Sequence, residues 1–282
     1  MSQHCKHLNL DLNVEVDVLT SDALAEVINS ILESLLYQRN QIPFVYKTYR
    51  HYVQNWSKEE NDDEDLLLQR QKENATMTKN SISAMKELIR STFKNKLIKS
   101  LRFLFGSTTY TPKEAYTIHL PIETISNDHF HKQHLLPTVN LNQTLLSFLT
   151  HPDLHTIFSS NLNPTNIYLE IEISKQKTTQ LKTTSNTKFD MIPKESHKLP
   201  PSCKDVNIHL IHNGKENVTS LRCCKNLLVY KDFVDLNLEN NAVDSVPDNC
   251  KTILYEMTEW WEAHTYIRGF KEQRIKYLNL WS

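Results

Sequence analysis

A stripe of leucine, isoleucine and valine that runs into a polar collar constrains this chain more than any other feature. Leu24, Val27, Ile28, Ile31, Leu32, Leu35 and Leu36 recur at the three-and-four spacing that lays them along one face of a 3.6-residue helix. Ser21 and Asp22 stand where an N-cap belongs and supply acceptors for the free amides of the first turn. Pro43 disfavours helical geometry at Ile42, so the helix is expected to stop near Asn40. In its last turn Tyr37, Gln38, Arg39, Asn40 and Gln41 replace the apolar stripe with hydrogen-bonding side chains. Residue types alone leave two readings open: Arg39 answers the negative end of the helix macrodipole, or the collar faces a partner.

A chain of 282 residues with 39% hydrophobic content has enough apolar surface for a real core, as one large domain or two small ones. No run approaches the ~20 apolar residues of a membrane helix, and Met1 to His7 lacks a signal-peptide hydrophobic region, so cytosol or nucleus is expected. The five cysteines, Cys5, Cys203, Cys223, Cys224 and Cys250, are odd in number and form no CxxC pair, which indicates neither a disulfide framework nor a cysteine zinc site. A net charge of −1 argues against a globally basic nucleic-acid binder. Glycine is the informative absence. With only Gly106, Gly214 and Gly269, no glycine-rich phosphate loop can be built, and Walker and dinucleotide-binding sites are excluded.

Asn13 to Val18 alternates with period two and predicts a short strand before the first helix. The aromatic-rich segment from Phe44 to Val53 reads equally as a second short helix or an extended cover. The acidic run Glu59 to Asp65 predicts a solvated loop. Ile82, Met85, Ile89, Phe93, Leu97, Leu101, Leu104 and Phe105 repeat at helical spacing, with Ser81 or Ser83 as cap and Gly106 at C′, predicting a single helix of some 24 residues. Its opposite face would carry Lys86, Arg90, Lys94, Lys96, Lys99 and Arg102; without interleaved aromatics that row reads as solvation rather than a phosphate track. A turn and strand follow over Tyr110 to Pro121.

Val139 to Leu149 predicts a third helix whose apolar residues, Leu141, Leu145, Leu146, Phe148 and Leu149, are broader than one stripe. If Leu145 and Leu149 face the core, Leu146 or Phe148 turns toward an edge, which fits an interaction surface as well as two-sided burial. Strands are predicted at Asn166 to Ile173, Val206 to His212, Leu227 to Tyr230 and Thr252 to Met257, with a hairpin turn at Asn213-Gly214. The aromatic segment from Trp260 to Lys271 must pack against the fold, because so much ring area in water is costly. Helices early and strands late predict an α+β architecture, three helices on one face of a mainly antiparallel sheet.

Catalytic constellations are scarce. No GxSxG elbow or cysteine-nucleophile context occurs. Cys223 and Cys224 put one thiol on each face of a predicted strand, and Glu170 and Glu172 share a strand face, a chance arrangement in a chain this acidic. His129, His131 and His134, or the pair His151 and His155, have the residue type for a metal, but no HExxH arrangement exists and Pro152 interrupts the pair.

Four short motifs, in order along the chain, carry a resemblance. Leu36-Tyr37-Gln38-Arg39-Asn40-Gln41-Ile42-Pro43 followed by Tyr46 resembles the Tyr-Gln-Arg-Gln-Gln-Leu-Pro signature of the comet family, HORMA-like proteins that bind the mitotic arrest deficient protein Mad-two. Thr111-Pro112-Lys113-Glu114-Ala115-Tyr116 is similar to that family's Ser-Pro-Lys-Glu-Phe-Tyr turn. Pro193-Lys194 through Pro200 resembles its Pro-Lys loop, and Thr265 to Glu272 its Phe-Lys-Gly-Phe-Arg-Glu ending.

The resemblance implies one HORMA-like domain over 1–282 with a safety-belt-like segment at 250–282; the residues themselves place an acidic loop at 57–76, where the chain departs from the family, and a polar loop at 175–204. The same resemblance implies a non-catalytic adaptor without cofactor or bound metal. Such an adaptor binds the closed conformer of Mad-two by imitating its dimerisation partner and presents it to a hexameric AAA+ ATPase, dismantling the mitotic checkpoint complex. Nucleus, cytoplasm and mitotic spindle or kinetochore would be its locations, with no membrane or nucleic-acid partner. By position, Gln38 and Arg39 would face Mad-two together with Leu145, Leu146 and Leu149 of the third helix, Leu146 standing where the family has phenylalanine. Pro193 and Lys194 would touch the ATPase. The alternatives are another HORMA-type scaffold that captures a peptide, or a metal-dependent hydrolase built on the loop histidines.

Overall fold

The stripe from Leu24 to Leu36 lies on helix α1, Ser21–Gln38, in the computed structural model, which describes residues 7–16, 18–56, 66–125, 138–174, 191–195, 198–213, 258–273 and 280–281. The N-cap falls one residue earlier than expected, at Thr20, whose hydroxyl accepts the Ala23 amide at 3.1 Å. At the other end Asn40 takes a left-handed φ of 55°. The Gln41 amide then reaches back to the Leu36 carbonyl at 2.8 Å and the Asn40 amide to Tyr37 at 3.0 Å, which is a Schellman closure. Asparagine tolerates the left-handed region that glycine usually fills, in a chain that has almost no glycine. The helix therefore ends where Pro43 predicts, by a tighter device than the proline alone.

Four further helices are described: α2 (Tyr46–Trp56), α3 (Leu66–Asn95), α4 (Thr138–Leu149) and α5 (Pro152–Ser159). Eight strands accompany them: β1 (His7–Asn13), β2 (Ile98–Gly106), β3 (Pro112–His119), β4 (Asn166–Ser174), β5 (Met191–Lys194), β6 (Lys204–Ile211), β7 (Thr258–Ala263) and β8 (Ile267–Arg268). They form one sheet in the order β1-β6-β3-β2-β4-β7-β5, with β8 paired to β4. Strand β6 runs parallel to both β1 and β3, while the other pairs are antiparallel. Among the described residues the protein is thus α+β, with a mixed eight-stranded sheet and five α-helices rather than three. The Phe44 to Val53 segment resolves as α2, and α5 was not foreseen because Pro152 reads as an interruption. In fact that proline occupies the first helical turn, where its missing N–H is no loss.

The longest helix predicted from periodicity is divided in two. Ile82, Met85, Ile89 and Phe93 do line α3, but that helix begins at Leu66, upstream of the expected cap, and ends at Asn95. The expected acidic loop at 57–76 therefore loses residues 66–76 to the helix. Leu97 precedes β2 and Leu101, Leu104 and Phe105 belong to it, with Leu101, Phe103 and Phe105 pointing to the core and Ser100 and Arg102 to the other face. Both periods fit that stretch locally; pairing with β3 and β4 on either side decides for the strand. Gly106 is not a helix cap. A Cβ there would lie 2.7 Å from the Pro112 Cα, so glycine permits the close approach of the β2–β3 turn.

Two other boundaries move. The first strand is His7–Asn13 rather than Asn13 to Val18, and the expected polar loop 175–204 contains β5 and the first residue of β6. The acidic run, the loop histidines, Gly214, Cys223-Cys224 and the strands expected at Leu227 to Tyr230 and Thr252 to Met257 lie outside the described residues.

One core cluster joins the α1 stripe to Leu101 and Phe103 of β2, Ile171 of β4 and Val206 of β6. Helix α1 is central within it, packed against α2, α3 and α4. The opposite sheet face is polar. Side by side across it stand Asp11, His209, His119, Ser100, Glu172, Trp260 and Lys194, and one row along, Asn207, Thr117, Arg102, Glu170 and Glu262. Ser100 donates to Glu172 at 2.6 Å, and Arg102 donates to the Thr117 hydroxyl at 3.0 Å while lying over the Trp260 ring. His119 and His209 stack at 4.5 Å.

The C-terminal segment closes over the helices. Gln71 of α3 donates to the Gln273 carbonyl at 2.7 Å and accepts its amide at 2.9 Å; Thr78 donates to the Arg268 carbonyl at 3.0 Å. Trp281 seats among Phe44, Tyr49, Tyr52, Trp56 and Phe270 with ring centroids 4.8–5.8 Å away. Trp281→Ala should lower the unfolding free energy by about 3 kcal/mol in urea denaturation, the cost of an emptied aromatic site. His119 is held below its ordinary pKa, first by burial, against the raising effect of Asn207 and Glu172; His209 and Arg102 add to the lowering. A depressed histidine contributes stability above its unfolded pKa that is lost as pH falls through the folded value. The fall in stability between about pH 7 and about pH 5 should therefore be shallower in His119→Gln than in the wild type.

Candidate functional site

The collar at the end of α1 separates into inward and outward side chains. The turn at Asn40 swings Arg39 into the protein, where it is fully buried. Its guanidinium donates from Nε to Glu114 Oε2 at 2.8 Å and from Nη2 to Oε1 at 2.7 Å, a bidentate pair, and from Nη1 to the Phe158 carbonyl at 3.2 Å. Tyr116 donates its hydroxyl to the same carboxylate at 2.9 Å. Burial, followed by the neighbouring Glu114 charge, raises the Tyr116 phenol well above its ordinary pKa, so it stays a donor. Arg39 therefore supplies no rim hydrogen bonds to a partner, contrary to expectation. A buried guanidinium must be paired, and Glu114 two strand positions from Tyr116 pairs it.

Gln41 is also internal. Its amide donates to the Arg39 carbonyl at 2.6 Å and its oxygen accepts the Thr165 amide at 2.8 Å. Its own carbonyl accepts the Phe270 amide at 2.8 Å. The C-terminal segment comes so near that a Cβ at Gly269 would lie 2.9 Å from the Thr165 backbone nitrogen and oxygen and would strike the Gln41 side chain. What reaches the surface is Tyr37, 40% exposed, the partly exposed Gln38 and the exposed Asn40. Together with Pro43, Pro164, Lys271 and Glu272 they line a cleft of about 430 Å³. No α4 residue lines that cleft, so Gln38 neighbours the C-terminal segment as well as the helical layer.

Helix α4 is the other element. Its Thr144 hydroxyl donates to the Asn13 carbonyl at 3.1 Å and Asn140 donates to the Glu15 carbonyl, which ties it to the chain leaving β1. Phe148 is fully buried and meets Phe158 edge-on at 6.4 Å. Leu141, Leu145 and Leu149 are half-buried against the core, so Leu145 and Leu149 act mainly as packing and not as free anchors. Leu146 points outward, 62% exposed, and Val139, at i−7 on the same stripe, is 68% exposed. Asn142, Gln143, Ser147 and Thr150 complete that face, and α4 contains no charged residue. Sequence reasoning missed Val139, although its seven-residue spacing from Leu146 was the available signal.

The third predicted surface divides similarly. Pro193 on edge strand β5 is exposed, whereas the Lys194 ammonium donates to the buried Glu170 and lies 3.5 Å from Glu262. With its side chain only 9% exposed, Lys194 presents no free charge to a partner. Burial raises the Glu170 pKa, and Lys194 and Arg102 oppose that rise. Among the described residues no group of three or more His, Cys, Asp or Glu is arranged to hold a metal ion. Among the described residues no helix is long and apolar enough to cross a membrane.

Breaking the Arg39–Glu114 pair from one side strands a buried charge. Arg39→Met alone should destabilise by about 3–5 kcal/mol in urea denaturation, and Arg39→Met with Glu114→Gln by clearly less, a coupling that a double-mutant cycle reads directly. No protein-family model matches this chain, and no curated protein matches it.

Proposed function

We propose that this chain is a non-catalytic adaptor of the comet type, with a HORMA-like fold, that binds closed Mad-two and presents it to an AAA+ ATPase. The observation that carries the reading is the outer face of α4. A solvated helix normally spends its outer face on charge, yet α4 has none and instead sets Val139 and Leu146 outward among amides and hydroxyls. An apolar pair framed by uncharged hydrogen-bonding groups is the composition of an interface core with its rim. Gln38 supports the same reading from the end of α1, where the buried Arg39 and Gln41 that follow it hold the turn in place.

The partner set follows from the resemblance: closed Mad-two on α4 and Gln38, the ATPase at exposed Pro193, and the mitotic checkpoint complex as the assembly taken apart. Nuclear, cytoplasmic and spindle or kinetochore locations belong to the same proposal. Lys194 enters it as a positioning residue, through its bond to Glu170. A peptide-capturing scaffold with an open groove is the weaker reading, because the segment from Trp260 to Glu272 is docked on its own chain through β7, β8 and Gly269.

The test is capture of purified closed Mad-two by wild type, Gln38→Ala and Leu146→Glu. A charge placed at Leu146 should cost about 2–4 kcal/mol of binding, seen as near-complete loss of capture, with Gln38→Ala weaker than wild type. Both positions are at the surface, so unchanged circular dichroism is expected alongside. Equal capture by all three proteins would refute the proposal.

A further inference from the structure

A second cleft, of about 420 Å³, opens beside the Arg39–Glu114 pair, between the β2–β3 turn, the chain after α5 and the entry to β6. Its lining includes Lys113, Lys204, Ser160, Ser202 and Asn161, and its floor is the buried Glu114. Charge is unbalanced there. Both oxygens of Glu114 are already taken by Arg39, and one also by Tyr116, so the Lys204 ammonium reaches Glu114 only at 3.4 Å. Lys204 makes its shorter bond, 2.7 Å, to the Ser160 hydroxyl. An ammonium has three N–H donors, and these two bonds leave one for a ligand. Lys113, exposed at the rim, adds a second positive charge, and no acid other than Glu114 lines the cleft.

From this geometry we infer that the cleft between the β2–β3 turn and β6 is a binding site for a phosphoryl group. Arg39, Lys204 and Lys113 against one carboxylate leave a net positive pocket, which calls for an anion. The donor set selects its kind. A carboxylate is best matched by the planar fork of an arginine, and Arg39 has spent that fork on Glu114. The Ser160 hydroxyl spends its one hydrogen on the Ile157 carbonyl at 2.6 Å and only fixes Lys204 in place, so what remains are two ammonium point charges with the Ser202 hydroxyl and the Asn161 amide, donors spread around a centre, which suit the several oxygens of a tetrahedral phosphoryl group. The group reaches the site either as free phosphate or on the side chain of a phosphorylated residue.

Titration calorimetry on the full chain at low ionic strength tests this with inorganic phosphate, O-phosphoserine and serine. Phosphate and phosphoserine should both bind and serine should not; tighter binding of phosphoserine than of phosphate assigns the site to a phosphorylated side chain, and the reverse to the free ion. Lys113→Gln, at an exposed position without an ion pair among the described residues, should weaken binding about tenfold while leaving the fold intact, and Lys204→Gln should weaken it further. No heat with either phosphate compound, or affinity unchanged in Lys113→Gln, would overturn the inference.

Discussion

Arg39 is fully buried and permanently charged, and the rest of the fold is arranged around giving it partners. Its guanidinium meets Glu114 of β3 and the carbonyl of Phe158 in α5, and through Glu114 it touches Tyr116 and Lys204 of β6. The end of α1, β3, α5 and β6, far apart in sequence, therefore converge on one ion pair. Such a pair contributes little net stability compared with an apolar replacement, since both ions give up their hydration. Its effect is on position: any shift of α1 along the sheet would separate a charge from its partner in a medium that cannot solvate it. Gln38, one residue away and at the surface, inherits that definition.

A second set of polar bonds fastens the end of the chain to its beginning. Gln41, Gln71 and Thr78 each spend a side chain on the backbone of the C-terminal segment or of its neighbour Thr165. Irregular backbone lying over helices has no ladder of its own, so these amides and hydroxyls satisfy it. Trp281 then adds apolar area within a ring of aromatic side chains from α2, Phe44 and Phe270. Polar bonds set where the segment lies, and ring burial holds it there.

Two surfaces of opposite character result. The outer face of α4 is uncharged and partly apolar, whereas the cleft beside Glu114 is cationic and lined with hydroxyls. The first suits a folded protein partner and the second a small anionic group. They share the Arg39–Glu114 pair as common support, since Phe158, which follows α4, and Lys204, which lines the cleft, both contact it.

Local pattern was sufficient wherever one face of an element alone is buried. The α1 stripe, the alternation in β4 and β6, the stop near Asn40 and the need to bury the C-terminal aromatics all follow from spacing and residue type. It failed at Leu97 to Phe105, where helical and strand periods coincide and only the flanking strands β3 and β4 choose between them. The site divides along the same line. That the collar is polar is written in Tyr37 to Gln41, but which of those side chains faces water depends on the left-handed turn at Asn40 and on a carboxylate 75 residues away. Sequence by itself determined the amphipathic helix, its end and the α+β class, because those depend on neighbours within a few residues. Only the tertiary structure decided that Arg39 and Lys194 are buried partners of Glu114 and Glu170 while Val139 and Leu146 face outward, because burial is a property of what packs from elsewhere in the chain.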